Sequence, residues 1–166
     1  MISDAMSRLT PWLIAAGLSL TSLSAAQAHC EYDGELNAHT TLAQEFDNAR
    51  QAARVRVLSA KSSWPDNGRD EPSTLYEVEV LETFKGPLEG RLTVFTFRNS
   101  GGFYMDRGAE PDIGGEYLLF LDPAPAWAPA AARGATVVHY SCGQSRRWDE
   151  VEPAAREALQ RLRRQA

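Results

Sequence analysis

Polar and apolar positions alternate through the middle of the chain. In "ARVRVLS" (53–59), Val55 and Val57 alternate with Arg54 and Arg56; in "TLYEVEVLETF" (74–84), Tyr76, Val78 and Val80 alternate with Glu77 and Glu79. A period of two gives a strand one buried face and one wet face. "RLTVFTFR" (91–98) and "EYLLFLD" (116–122) are apolar or β-branched on both faces, which places them centrally in a sheet, and "ATVVHYSC" (135–142) reads as a fifth strand. The expected shared core is Val55, Val57, Tyr76, Val78, Val80, Val94, Leu119 and Leu121, with Glu77 and Glu79 on the wet face. "KGPLEG", with Gly86-Pro87 and Gly90, is a hairpin connection between the second and third strands.

A helical rhythm flanks the strands. Leu42, Phe46, Ala49 and Ala53 fall on one face of a helix predicted over 40–53, and Thr41-Leu42-Ala43-Gln44 fits a capping box. The tail over 149–165 predicts a second helix, with Val151, Ala155, Ala158 and Leu162 on one face and Pro153 in its first turn. Acidic Asp149, Glu150 and Glu152 open it and Arg161, Arg163 and Arg164 close it, which complements the helix dipole. A helix, five strands and a helix in so short a chain predict a mainly β fold, a barrel rather than a sandwich, compatible with an OB-type five-stranded barrel with flanking N-terminal and C-terminal helices. The three long loops, 61–73, 99–115 and 123–134, carry Trp64, Phe103, Tyr104 and Trp127. Loop aromatics either anchor a partner or fold back over the end of a core.

The first 28 residues read differently. Arg8 precedes an apolar run over 11–20, and Ala26-Gln27-Ala28 is a small-x-small cleavage site, so 1–28 is expected to be an export signal. The run is short of the about 20 apolar residues that span a bilayer. Translation from Met6 would give a cleaner signal by removing Asp4. His29 stands where a lipoprotein signal wants a small residue, so no lipid anchor is expected. The expected mature chain, 29–166, is a single domain, exported to the periplasm or the extracellular space, with no membrane association after cleavage.

Charge and cysteine count narrow the chemistry. The formal net charge is −5, and it stays so without residues 1–28. An acidic domain has no electrostatic reason to bind nucleic acid. Cys30 and Cys142 are the only cysteines. In an oxidising compartment an even count favours a disulfide, which in the chain-entropy model contributes about 4–5 kcal/mol for so long a loop. Two free thiols or a metal pair are the alternatives, although no close Cys/His pairing of a four-ligand zinc site is present.

The sequence contains no Gly-x-Ser-x-Gly elbow, His-Glu-x-x-His, phosphate loop or dinucleotide fingerprint. An enzyme is therefore not expected, nor a cofactor. Asp106, Glu110 and Asp112 share a loop, but their spacing matches no calcium loop. An N-terminal His29 offers an amine and an imidazole, and His139 would add a second imidazole to complete a copper site. His139 pointing outward from a strand is the plainer alternative.

Several stretches together resemble the netrin-like domains, the group that includes the tissue inhibitors of metalloproteinases, here in a bacterial secreted form. "LAQEFDNARQAARVRVLSAKS" runs from an apolar helix straight into a strand after Cys30. "YEVEVLETFKG" resembles the second strand and its Lys-Gly turn, "GGEYLLFLD" the Gly-x-x-Tyr-Leu-Leu strand, and "SCGQSRRW" the closing Cys and Trp before a helix. The likeness covers nearly all of 29–166. It implies an OB-type barrel and a disulfide pinning the N-terminal segment to the end of the last strand. In the animal inhibitors the mature chain starts Cys-x-Cys, and the first residue's amine and carbonyl chelate the protease's zinc. Here the first of that pair would fall at Ala28, and His29 precedes Cys30 with no bridge of its own.

The expected function is a secreted protein-binding module, with a metalloprotease as candidate partner and inhibition as candidate activity. The expected contact residues are His29, Cys30, Trp64, Phe103 and Tyr104. The alternatives are a copper-binding protein using His29 and His139, and an envelope structural protein without inhibitory activity.

Overall fold

The computed structural model describes residues 31–32, 35–36, 39–63, 72–97 and 102–165. The expected signal 1–28, His29, Cys30 and Trp64 lie outside them. The elements run β1 (Glu31–Tyr32), β2 (Glu35–Leu36), α1 (Leu42–Asn48), β3 (Gln51–Ser63), β4 (Ser73–Lys85), β5 (Arg91–Phe97), β6 (Asp106–Arg107), β7 (Glu110–Pro111), β8 (Glu116–Pro123), β9 (Thr136–Val138), β10 (Arg146–Arg147) and α2 (Pro153–Arg163). Short 3-10 turns occupy Ala130–Ala132 and Trp148–Glu150.

β8, β3, β4, β5 and β9 hydrogen-bond in that order, and β9 returns to β8, so the five strands close a barrel. All pairings are antiparallel except β5 with β9. Counting the barrel strands in chain order, the ring runs first, second, third, fifth, fourth, which is the Greek-key circuit of an OB-type barrel. β3 has register shifts against β4 between Ala52 and Ala53, Arg54 and Val55, and Val57 and Ser59. Such bulges bend a strand and raise its twist, as a small barrel requires.

The alternation read from the sequence sorts side chains between two cores. The barrel interior holds Val55, Val57, Tyr76, Val78, Val94, Leu119 and Leu121, with Val80 packed against them, so all eight expected residues share one cluster. The apolar residues on the other faces serve a second cluster, in which Phe46 of α1, Ala49 just after it and Leu159 of α2 meet Ala52, Phe84, Leu118 and Phe120 on the outside of the barrel. β8 is apolar on both faces because it lies between these two cores. Phe95, on the outer side of β5, packs with Ala132 and Ala135 under the 124–135 loop.

Several element boundaries differ from expectation. The first helix covers 42–48 rather than 40–53. Thr41 and Gln44 do form the capping box, but Ala49 is already extended, and Ala52 and Ala53 pair with Phe120 and Leu119 of β8. A run of small residues suits either state, and pairing in a buried sheet decides it. The tail is not one helix over 149–165: a 3-10 turn at 148–150 is followed by a break, and the α-helix starts at Pro153, whose ring suits the first position. Leu159, not Ala158, is its fully buried residue. The fifth strand, expected over 135–142, ends at Val138, and 139–145 turns back towards β10. Trp148 stacks on Phe84 at 6.2 Å and lies between the guanidinium groups of Arg54 and Arg156, 4.6 and 4.8 Å from its ring centroid. Among the described residues no helix is long and apolar enough to cross a membrane.

Candidate functional site: an aromatic cleft beside the Cys142 turn

β5 and β9 pair at one position, Val94 with Thr136, and the Thr136 hydroxyl donates to the Thr93 carbonyl at 3.1 Å. Beyond that point a cleft of about 300 Å3 opens beside Phe95–Phe97 and Val137–Val138. Phe103, Pro125 and Trp127 line it from the long loops, and Ser141 stands at its edge. Trp127 is 71% exposed, and its indole stacks on Phe97 at 5.4 Å with 11° between the rings. Phe97 in turn meets Phe95 edge-on at 4.7 Å. None of the lining side chains carries a charge. The cleft is thus built to take an uncharged apolar or aromatic group by contact and stacking.

Of the aromatic residues singled out from the sequence, Phe103 lines this cleft while also packing against the barrel core, 6.4 Å from Tyr117 and edge-on to it. Tyr104 is half-buried beside it. From the sequence Trp127 is a loop aromatic but not one of the expected contact residues. Its signal is the Pro/Ala-rich loop around it, whose side chains are small beside an indole.

The turn after β9 carries Cys142. His139 donates its backbone N–H to the Phe120 carbonyl at 2.8 Å, and the Gly143 N–H closes on the Tyr140 carbonyl at 3.0 Å. The turn is tied to α1 through Glu45, which accepts hydrogen bonds from the Thr40 hydroxyl and the Gln144 N–H. Burial pushes the Glu45 carboxyl above the usual carboxylate range, against the opposing effect of these two donors and of His139 and Arg146. Cys142 thus sits next to a buried anchor and one residue from the cleft's edge. Its expected partner, Cys30, is outside the described residues.

His139 is held as well. Its Nδ1 lies 2.5 Å from an Asp122 carboxylate oxygen, and the other Asp122 oxygen accepts the Arg50 N–H at 3.0 Å. Among the described residues no group of three or more His, Cys, Asp or Glu side chains is placed to hold a metal ion. Of the three carboxylates of the 106–112 segment, Asp106 and Asp112 are engaged with the barrel, and Glu110 is exposed. Asp106 accepts the Tyr76 hydroxyl at 2.6 Å, and Asp112 accepts the Tyr117 hydroxyl at 3.0 Å and pairs with Arg147. Burial, reinforced by Asp112, pushes the Tyr117 phenol well above its usual value. Arg147 also holds Asp149, whose carboxyl it draws below the usual range.

No family model matches the chain, and no curated protein matches it.

Proposed function

We propose that the chain, after export and removal of residues 1–28, is a netrin-like protein-binding module whose partner is a metalloendopeptidase. The observation that carries this reading is Trp127, largely exposed and stacked on Phe97 over an apolar cleft whose edge, Ser141, adjoins Cys142. A Cys30–Cys142 bridge would bring the mature N-terminus to that edge. The His29 amine and carbonyl would then stand beside an aromatic platform, one offering ligands to an open zinc position and the other a contact surface. The chelating role is drawn from the resemblance to the tissue inhibitors. The platform role is drawn from exposure and stacking.

The test is inhibition of a panel of metalloprotease catalytic domains by the mature protein. Adding an alanine before His29, or acetylating its amine, should abolish inhibition without changing the melting temperature, because only a free lone pair coordinates zinc. Trp127→Ala should weaken inhibition tenfold or more, also at unchanged melting temperature. Inhibition that survives both tip changes would refute chelation and leave the cleft as the contact. Absence of inhibition by the native protein across the panel would refute the metalloprotease as partner.

A further inference from the structure

Glu45 is fully buried on α1, facing the Cys142–Gln144 turn. Its two hydrogen-bond donors, the Thr40 hydroxyl at 2.8 Å and the Gln144 N–H at 2.6 Å, both converge on Oε2. Oε1 is buried and has no hydrogen-bond partner among the described residues. Gly143 packs so closely that a Cβ there would overlap the carboxyl group. A carboxylate spreads its charge over two equivalent oxygens, and a buried one needs donors or a counter-charge at both. In the acid, Oε2 accepts both donors and the Oε1 hydroxyl is left without an acceptor. Burying that neutral hydroxyl unpaired costs less than burying a charged oxygen without a donor, so this geometry favours the acid.

The surrounding charges do not displace this reading. His139, which follows β9, and Arg146 of β10 both favour the charged form. His139 is engaged with Asp122 of β8, and Arg146 donates to the carbonyl and side-chain oxygens of Gln144. Lys85 of β4 donates to the Phe46 and Asp47 carbonyls at the end of α1.

We propose that Glu45 is a proton-operated latch: as a neutral acid protonated on Oε1 it locks α1 to the Cys142–Gln144 turn, and its ionisation forces the turn to open and admit water. The sign follows from linkage. A carboxyl whose proton is held more tightly in the folded state contributes stability that is complete below the ordinary glutamate range and is lost as pH rises through its folded value. The latch does not depend on the cleft's occupant or on any protease.

Glu45→Gln tests it, since the amide oxygen can accept both hydrogen bonds and the group cannot ionise. Melting temperatures of the two proteins should be compared from about pH 4 to about pH 9, spanning the ordinary carboxyl range and the region above it. The variant should gain on the wild type as pH rises. A difference that is constant, or that shrinks with rising pH, overturns the proposal. The comparison is repeated with His139→Gln in both proteins, because the His139 imidazole acts on the Glu45 carboxyl. If the pH-dependent difference vanishes in that background, it belongs to His139 and the latch is wrong. Should Glu45→Gln fail to fold, carbon-13 titration of the Glu45 carboxyl in the native protein decides. A midpoint above the usual glutamate range supports the latch, and one within or below it refutes it.

Discussion

Val78 is the sharpest place to test the barrel's register. It lies in the centre of β4, opposite Val57 on β3 and Leu92 on β5, with no exposed surface. Val78→Thr keeps the shape but buries a hydroxyl in an apolar cluster, a cost of about 1–3 kcal/mol. Val78→Ala removes two methyl groups, about 1.6 kcal/mol of transfer free energy at about 0.8 each, and a cavity term raises the loss to about 2–3 kcal/mol. Val78→Asp buries a charge without a partner and should exceed much of a typical domain stability of about 5–15 kcal/mol, so the protein should not fold. The neighbouring Glu79 points the other way. It pairs with Arg56 at 3.4 Å, the two side chains are 45% and 42% exposed, and such a surface pair contributes about 0–1 kcal/mol. Urea unfolding followed by far-ultraviolet circular dichroism measures Val78→Thr, Val78→Ala and Glu79→Ala, and Val78→Asp should show no folded baseline. A one-residue slip would exchange the two faces and reverse the ranking. If Glu79→Ala costs more than Val78→Thr, the register described here is wrong.

Three further outcomes are expected. Arg147→Ala leaves the Asp112 carboxylate, 10% exposed, with the Tyr117 hydroxyl as its remaining described partner, and should cost about 2–4 kcal/mol by denaturant unfolding; an effect below about 0.5 kcal/mol would show the pair to be idle. Hydrogen bonds from Arg54 and then Arg56 hold the Glu116 carboxyl below the usual range, so its contribution is present above the ordinary glutamate value and lost as pH falls through its lowered one. Glu116→Gln should therefore melt below the wild type at neutral pH, by the equivalent of about 1 kcal/mol, and the gap should close on acidification; a gap that widens in acid contradicts the assignment. The exported protein should begin at His29 and weigh two hydrogens less before reduction than after it, whereas thiols titrating at both Cys30 and Cys142 would remove the bridge.

The barrel was legible because its strands carry a strict alternation. Val55 and Val57 against Arg54 and Arg56, and Tyr76 and Val78 against Glu77 and Glu79, each place one face inward, and the arginines and glutamates meet on the outside as Arg56–Glu79 and Arg91–Glu77. What the pattern hid was competition between local and long-range preference. Ala49, Ala52 and Ala53 suit a helix as well as a strand, and pairing with β4 on one side and β8 on the other converts the last two to strand. The buried Glu45 could not be anticipated at all. Its position in a polar helical turn predicts a wet side chain, and the groups that bury it, Gly143 and Gln144, lie about a hundred residues further on.

The cleft and the Cys142 turn have a common origin in the early end of β9. β9 pairs with β8 at three positions, Leu121–Val138, Asp122–Val137 and Pro123–Thr136, but with β5 at only one. After Val138 the chain bends, because the His139 side chain is drawn to Asp122 on β8 while the turn is drawn to Glu45 on α1. Both attractions pull it away from β5. Phe97 therefore borders a gap where β5 has no neighbouring strand, while Phe95 is buried under the 124–135 loop, which brings Trp127 over Phe97. A fifth strand running through to Cys142, as the alternation of 135–142 implied, would have closed that gap and left no cleft. The same departure from regular pairing thus exposes an aromatic surface and sets the cysteine at its edge.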